Sequence, residues 1–444
     1  MTFPCYPKYK ASGYMWLGDV PESWVLKRLG HYFDERRERA SDTEFEPLSV
    51  TKQGIVPRLE SAAKTQDGDN RKKVLVGDFV INSRSDRKGS SGLSPLDGSV
   101  SLICTVLIPT GLYGPFIHHL FRSELFQEEY YRWGKGIVAD LWSTNFSDMK
   151  NIVLSVPSEA EQIQIARFLD HETASIDALI EEQKRLIELL KEKRQAAISH
   201  AVTKGLDPTV PMKGSGVEWL GEVPVHWLVA GLKWFWSVTD CKHITAEFVD
   251  DGIPLASIRE VQSRYVALDN AKQTTEVFYR QLIEGGRDLV AGDLIFSRNA
   301  TVGEVAQVAD WHPPFAMGQD VCVLKKRYEW LSSDYLQAVL RSPVVMVQLE
   351  NLMIGSTFKR VNVEDIRGII VPMPPQDEQK DIAEYLIYET EMFDSLLSEA
   401  QNAIALLQER RSALISAAVT GKIDVRGWQP PVSKPSPELA QEAV

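Results

Sequence analysis

Two stretches of the chain repeat apolar residues at a spacing of seven. In the first, Leu169, Ile176, Leu190 and Ala197 form one row, with Ile180 and Ile187 beside it. In the second, Leu386, Phe393, Leu407 and Leu414 form the row, with Leu397 and Ile404 alongside. A heptad pattern sustained this long predicts two long helices with a coiled-coil seam. Pro157 followed by Ser158 and Glu161 supplies an S-x-x-E start signal. The second helix starts after Pro374-Pro375, where proline in the first turn is tolerated. Gly205 and Gly421, with Asp207-Pro208 after the first, mark the stops. At 1.5 Å per residue, a 44-residue helix spans roughly 66 Å, too long to be absorbed in one small globule. Equal length and matched seams favour mutual packing over two helices on separate cores.

Ahead of each rod, short β-branched runs alternate with Gly, Pro, Asn and Asp breaks. Val74–Val76, Phe79–Ile81, Leu102–Ile108, Leu294–Phe296 and Val321–Leu324 read as strands. Glu124–Arg132 and Ser332–Leu340 read as helices between them. The globular parts are therefore expected to be α+β.

The chain also repeats itself. Trp16-Leu17-Gly18, Val20-Pro21 and Trp24 return 203 positions later as Trp219-Leu220-Gly221, Val223-Pro224 and Trp227. Gly77-Asp78 returns at an offset of 215 as Gly292-Asp293, each followed by a Ser-Arg pair, Ser83-Arg84 and Ser297-Arg298. Glu161-Gln162, Ile165-Ala166 and Leu169 return at 217 as Glu378-Gln379, Ile382-Ala383 and Leu386. Three blocks in one order make a tandem duplication of a unit of about 210 residues. The paired tryptophans are read as packing anchors in preference to base-stacking platforms.

Composition narrows the field. At 444 residues the length prior is about three structural units. Hydrophobic residues are 44% and charged residues 25%, a globular balance. No apolar run is long enough to span a bilayer, and residues 1–10 lack an apolar signal core, so the expected location is cytoplasmic. The four cysteines lie far apart and read as reduced thiols. The net charge of -12 argues at first against a nucleic-acid partner. Yet Glu159–Val202 carries -3 and Gln376–Val419 carries -6, which leaves only -3 elsewhere. The acidity describes the rods and does not exclude DNA at the globules.

Catalytic motifs are weak or missing from the sequence. His312-Pro313-Pro314-Phe315 approximates the tetrad of adenine methyltransferases, but His stands where Asn or Asp is needed and no glycine-rich cofactor turn precedes it. Glu378-Gln379-Lys380 mimics a nuclease E-x-K in a helical first turn, where a solvated charged turn is the better reading. There is no P-loop, no G-x-S-x-G elbow and no HExxH. The expectation is a non-catalytic chain with no metal site.

The segment Met212-Lys213-Gly214-Ser215-Gly216-Val217-Glu218-Trp219-Leu220-Gly221-Glu222-Val223-Pro224, the segment Pro374-Pro375-Gln376-Asp377-Glu378-Gln379 and the duplicated layout together resemble the specificity subunit of type I restriction-modification enzymes. The resemblance runs from Tyr14 to about Ile423. It implies two α+β target recognition domains separated by two long antiparallel helices that form a coiled coil with a pseudo-twofold repeat. The expected division is 1–150, recognition domain 1; 151–208, central spacer; 209–371, recognition domain 2; 372–422, C-terminal spacer; and 423–444, flexible tail. The implied partners are double-stranded DNA, two methyltransferase subunits and motor-nuclease subunits, with S-adenosylmethionine, ATP and Mg confined to those subunits. Because the two globules differ outside the framework blocks, the target is expected to be bipartite and asymmetric. The competing readings are a single-chain methyltransferase or nuclease with degenerate motifs, and a coiled-coil scaffold without DNA contact.

Candidate DNA contacts are basic residues beside small, hydroxyl-bearing ones. In the first copy these are Arg71, Lys72 and Lys73, read as preceding a strand, then Ser83, Arg84, Arg87, Lys88 and Lys135. In the second they are Arg298, Asn299, Thr301, Thr357, Lys359, Arg360 and Asn362, with Gly355–Asn362 matched to Lys135–Asn145 of the first. Arg84 or Arg87 has the fork needed to grip a guanine edge. Arg194 and Arg411, at one seam position, are read as side chains snorkelling from the coil edge, with contact to a DNA spacer as the alternative.

Overall fold

The computed structural model describes residues 3–59, 68–84, 87–136, 142–353 and 360–431. The protein is mixed helix and sheet and divides into two compact units, residues 1–184 with 402–444, and residues 185–401. Each unit thus takes part of both long helices.

In unit 1 the framework sheet has the order Ser91–Leu93, Phe79–Asn82, Cys104–Pro109, Phe33–Glu35, all antiparallel. Helices α1 (Gly114–Arg122) and α2 (Glu124–Arg132) cover it, and the short α3 (Phe146–Met149) precedes the strand Val153–Val156, which pairs with Val25–Arg28. The long helix α4 (Glu159–Lys204) follows. Phe79, Phe116, Phe121, Phe126 and Tyr130 are fully buried, and Phe121 and Phe126 stack at 4.2 Å.

Unit 2 repeats this plan. Its framework sheet runs Trp236–Asp240, Val321–Lys326, Leu294–Ser297, Val305–Gln307. After α5 (Glu276–Ile283), helices α6 (Ser333–Leu340), α7 (Pro343–Met353) and α8 (Val363–Gly368) stand where α1 to α3 stand in unit 1. Ile370–Met373 pairs with Leu228–Gly231, and the long helix α9 (Gln376–Val419) follows. The repeat therefore reaches well beyond the three blocks legible in the sequence.

The repeated motifs are the joints of this framework. Gly77 and Gly292 both hold φ +90, a conformation suited to glycine. Beside them Asp78 accepts from the Leu75 amide at 2.8 Å and Asp293 from the Val290 amide at 3.0 Å. Leu75–Gly77 is thus a turn, and the strand expected at Val74–Val76 lies earlier, at Arg71–Val74. Glu161 and Glu378 accept the indole N–H of the fully buried Trp24 (3.0 Å) and Trp227 (2.8 Å). Their neighbours act alike: Gln162 spans the Pro157 carbonyl and the Tyr113 amide, as Gln379 spans the Pro374 carbonyl and the Ser332 amide. The tryptophans are anchors, and the Glu161 carboxylate is committed to Trp24 and Tyr6 (2.5 Å).

The heptad rows lie on covered sides of the helices: Leu169, Ile176, Ile180, Ile187, Leu386, Phe393 and Leu414 are buried. In unit 1, Gln164 reaches the Val425 and Trp428 carbonyls, while Asp177 pairs with Arg411 at 2.8 Å, so the two helical segments run in opposite directions. In unit 2, Ala201 and Val202 share a core with Ala383, and Arg194 pairs with Asp394 at 3.0 Å, again antiparallel. Arg194 and Arg411 do not snorkel freely; each bridges to an aspartate on the other helix. The residues expected to begin a tail also differ. Val425 is buried, Trp428 packs edge-on against Phe168, and the Asp424 amide donates to Pro4. Apolar and aromatic side chains hold this stretch in unit 1.

Candidate nucleic-acid interface

In each unit the loop after the second framework strand meets the segment before the short helix. In unit 1 the Thr144 amide donates to the Ser83 carbonyl (3.0 Å), Arg84 bridges Ser143, and Ser143 bridges Lys135. In unit 2 the Val361 amide donates to the Arg298 carbonyl (2.9 Å) and Asn299 bridges Arg360. The same rim is built twice. It joins Arg84 and Lys135 in one unit, and Asn299 and Arg360 in the other.

These bridges revise the alignment of the copies. Strands Phe79–Asn82 and Leu294–Ser297 correspond at an offset of 215, so Arg84 answers to Asn299 and Ser83 to Arg298. Matching the two Ser-Arg pairs shifts this by one residue. The difference has a physical effect, because Arg298 points inward. It is 3% exposed and its guanidinium lies 2.7 Å from Asp240. Ser83 is buried too, its hydroxyl donating to the Ile103 carbonyl.

The basic run of the first copy is also drawn inward. Arg71 to Lys73 form a strand between Gly98–Val100 and Arg39–Ala40. Arg71 is 5% exposed and donates to the Ser99 hydroxyl (2.8 Å) and carbonyl (3.0 Å); burial pushes its pKa down. Lys72 donates to the Cys104 carbonyl at 2.7 Å, and Lys73 pairs with Glu38 at 3.1 Å. As they stand, the Arg71 and Arg298 side chains are internal struts.

The remaining candidates lie on or near the surface. Arg84 is half-buried and Arg87 exposed. Lys88 pairs with Glu128, and the exposed Lys135 with Asp148 at 2.6 Å. Asn299 accepts from the Ala300 amide, in a turn where Ala300 holds φ +57, and the Thr301 hydroxyl lies 3.0 Å from that of Ser297. Arg360 is exposed, 3.7 Å from Asp320, and Asn362 precedes α8, with its amide 3.4 Å from Asp365. Thr357 and Lys359 lie outside the described residues. His312 closes the turn Ala309–His312, its ring accepting from the Ala309 amide, and Pro313 to Phe315 follow outside any helix or strand.

Asp240, Cys241 and His243 form the one group among the described residues with metal-ligand proximity. The Arg298 guanidinium already supplies the positive charge at Asp240, and burial, then the Asp240 charge, raise the Cys241 pKa. No helix among the described residues is long and apolar enough to cross a membrane.

One framework, built twice and carrying two unlike polar rims, defines a duplicated recognition protein. The comparisons point to one kind of protein. Residues 285–404 match the type I restriction modification DNA specificity domain. The type I restriction enzyme MjaVIII specificity subunit of Methanocaldococcus jannaschii is 24% identical over 92% of this chain and 94% of its own. The EcoKI specificity subunit of Escherichia coli is 23% identical over 80% and 77%. Among solved structures, a chain from a study of complex assembly and conformational transition of the type I R-M system has a TM-score of 0.67, with 17% identity over 90% of this chain and 98% of that one. The HsdS subunit of Thermoanaerobacter tengcongensis has a TM-score of 0.56, with 17% identity over 93% and 100%. Over most of its length the chain is similar to specificity subunits of type I restriction-modification enzymes, and its fold is that of their solved structures. The matched domain is a DNA specificity domain, and the named relatives are specificity subunits.

Proposed function

We propose that this chain is the sequence reader of a type I restriction-modification complex, with two target recognition domains that each read one half of a bipartite, asymmetric DNA site. In this reading α4 and α9 form an antiparallel coiled coil with pseudo-twofold symmetry, spacing the readers and serving as docking surfaces. The domains divide at 1–150, 151–208, 209–371 and 372–422. Methylation, ATP hydrolysis and cleavage, with their S-adenosylmethionine, ATP and Mg, belong to partner subunits, and the complex works in the cytoplasm.

The observation that carries the reading is the doubled rim on a doubled framework: Arg84 with Lys135, and Asn299 with Arg360. Side chains that carry positive charge or amide groups there suit phosphate contact, and unlike residues at equivalent points suit unlike half-sites. Arg84, Arg87, Lys88, Lys135, Asn299, Thr301, Arg360 and Asn362 are assigned to DNA contact, and Thr357 and Lys359 are assigned with them. Docking of two copies of one methyltransferase subunit is supported by exposed leucines at equivalent points of the helices. Leu179 answers to Leu396 and Leu189 to Leu406, all at an offset of 217 and all facing solvent. The test is methylome sequencing of cells carrying the complete system. A single motif of two unlike half-sites with a fixed gap is expected; a palindromic or continuous motif refutes the proposal.

A further inference from the structure

The two copies depart from each other between the first and second framework strands. The offset grows from 203 at Phe33 and Trp236 to 215 at Phe79 and Leu294, so unit 2 carries twelve extra residues there. Unit 1 fills this region with the three-stranded sheet that holds Arg71 and a hairpin, Leu48–Thr51 with Gly54–Pro57. Unit 2 fills it with a different sheet of order Phe248–Val249, Gln273–Thr274, Ile253–Ala256, Ala316–Met317, whose last pair is parallel.

Against that sheet lies a cavity of about 560 Å³, floored in part by Leu255 and Met317. Its polar lining includes Arg259, Asn270, Lys272 and Gln319, all exposed. Among the described residues no carboxylate lies within ion-pair distance of Arg259 or Lys272. The Lys272 ammonium stands 4.4 Å from the centre of the Phe248 ring, which is itself 55% exposed. Asn270 and Gln319 make no side-chain hydrogen bond among the described residues, so two cations without a carboxylate partner and two unengaged amides stand together, and they match the groups a DNA groove presents. An amide pairs with two adenine positions, a guanidinium fork with two guanine acceptors, and an ammonium with a phosphate.

We infer that this cavity is the base-reading pocket of unit 2, with Arg259, Asn270 and Gln319 facing base edges of one half-site and Lys272 an adjoining phosphate. The inference rests on the DNA-reading proposal above and adds the residues that decide which bases are chosen. These residues are not in the basic loops singled out by sequence.

The experiment uses the full chain co-expressed with its modification subunits, and compares the methylated motif of wild type with Arg259→Ala, Asn270→Ala and Arg259→Lys. Each alanine variant is expected to relax one or two adjacent positions of a single half-site, with discrimination falling about 10- to 100-fold and the other half-site unchanged. Arg259→Lys keeps the charge but loses the fork, so it is expected to relax the same position as Arg259→Ala. If wild type gives a bipartite motif and every variant gives that motif at wild-type stringency, the inference is overturned while the parent reading stands. Uniform weakening at all sites with no change of motif overturns it too, because that is the signature of phosphate contact alone. A wild-type complex that methylates without any bipartite preference sinks the parent reading itself.

Discussion

Removing the Glu161 carboxylate tests the framework most directly, because equivalent residues in the two units carry unequal loads. Glu161 accepts two donors from buried groups, the Trp24 indole at 3.0 Å and the Tyr6 phenol at 2.5 Å. Burial, then the hydrogen bond to Glu161, push the Tyr6 pKa well above the ordinary phenol range, so its O–H remains a donor. Glu378 accepts the Trp227 indole and the half-exposed His226 ring at 2.5 Å. Water can replace a partner for His226, whereas Trp24, Trp227 and Tyr6 are buried. Each buried donor left without an acceptor costs about 1–3 kcal/mol. Glu161→Ala therefore should destabilise unit 1 by about 3–5 kcal/mol, and Glu378→Ala unit 2 by about 2 kcal/mol. For a unit of some 200 residues that corresponds to Tm losses of about 6–20 °C and 4–8 °C. Glu161→Gln retains an acceptor and should recover about half the loss. Calorimetry gives the size, and hydrogen exchange assigns it to a unit. Equal losses in the two units, or Glu161→Gln as damaging as Glu161→Ala, would refute the reasoning.

Other outcomes follow from the same geometry. Gly421 holds φ +72 and an added Cβ would sit 2.4 Å from the Pro21 ring, whereas at Gly205 (φ +76) it would meet the Trp227 ring at 3.2 Å. Gly421→Ala should thus cost about 2–3 kcal/mol and Gly205→Ala about 1 kcal/mol, read from thermal melts. Arg84→Ala and Arg360→Ala should each weaken DNA binding across all sequences and lower the salt slope by about 1, read by fluorescence anisotropy over a salt series; an unchanged slope removes that residue from the interface. Leu179→Glu and Leu396→Glu should each release one methyltransferase subunit, seen as a lost mass step, with the unit cores intact. Burial, then the Arg122 charge, lowers the His118 pKa to about 4, and the ring lies 2.8 Å from Arg122, near His119, Asp170 and Arg411. The unfolded chain therefore takes up this proton first, so stability held above pH 6.5 falls as pH drops towards 4, by up to about 3 kcal/mol. His118→Gln should flatten that part of the stability profile, and an unaltered slope assigns it elsewhere.

The long helices, the duplication and most strands were legible because their signals are local or repeated. Heptad rows, Gly-Asp turns and the Glu-Gln pair each act within a few residues or recur at a fixed offset. The candidate interface was less legible because charge in a sequence does not say where a side chain points. Arg71 finds Ser99 and Arg298 finds Asp240, partners 28 and 58 positions away. A run of three basic residues reads as a solvated patch until the strand that carries it is paired on both sides. The cavity of unit 2 was invisible for a related reason. Its lining comes from Lys242 to Gln319, and no short motif marks it.

The closing stretch of unit 1 bears on how the chain is made. Trp428, Val425 and the last turns of α9 complete a core begun by Tyr6, Trp16 and Trp24. Unit 2, made of residues 185–401, is wholly synthesised before that closing stretch emerges. At 5–20 residues per second, a nascent unit 1 remains open for on the order of 10–50 s after residue 184 is added. During that wait its aromatic interior is exposed, so the ribosome-bound chain is the state in which chaperones would find it.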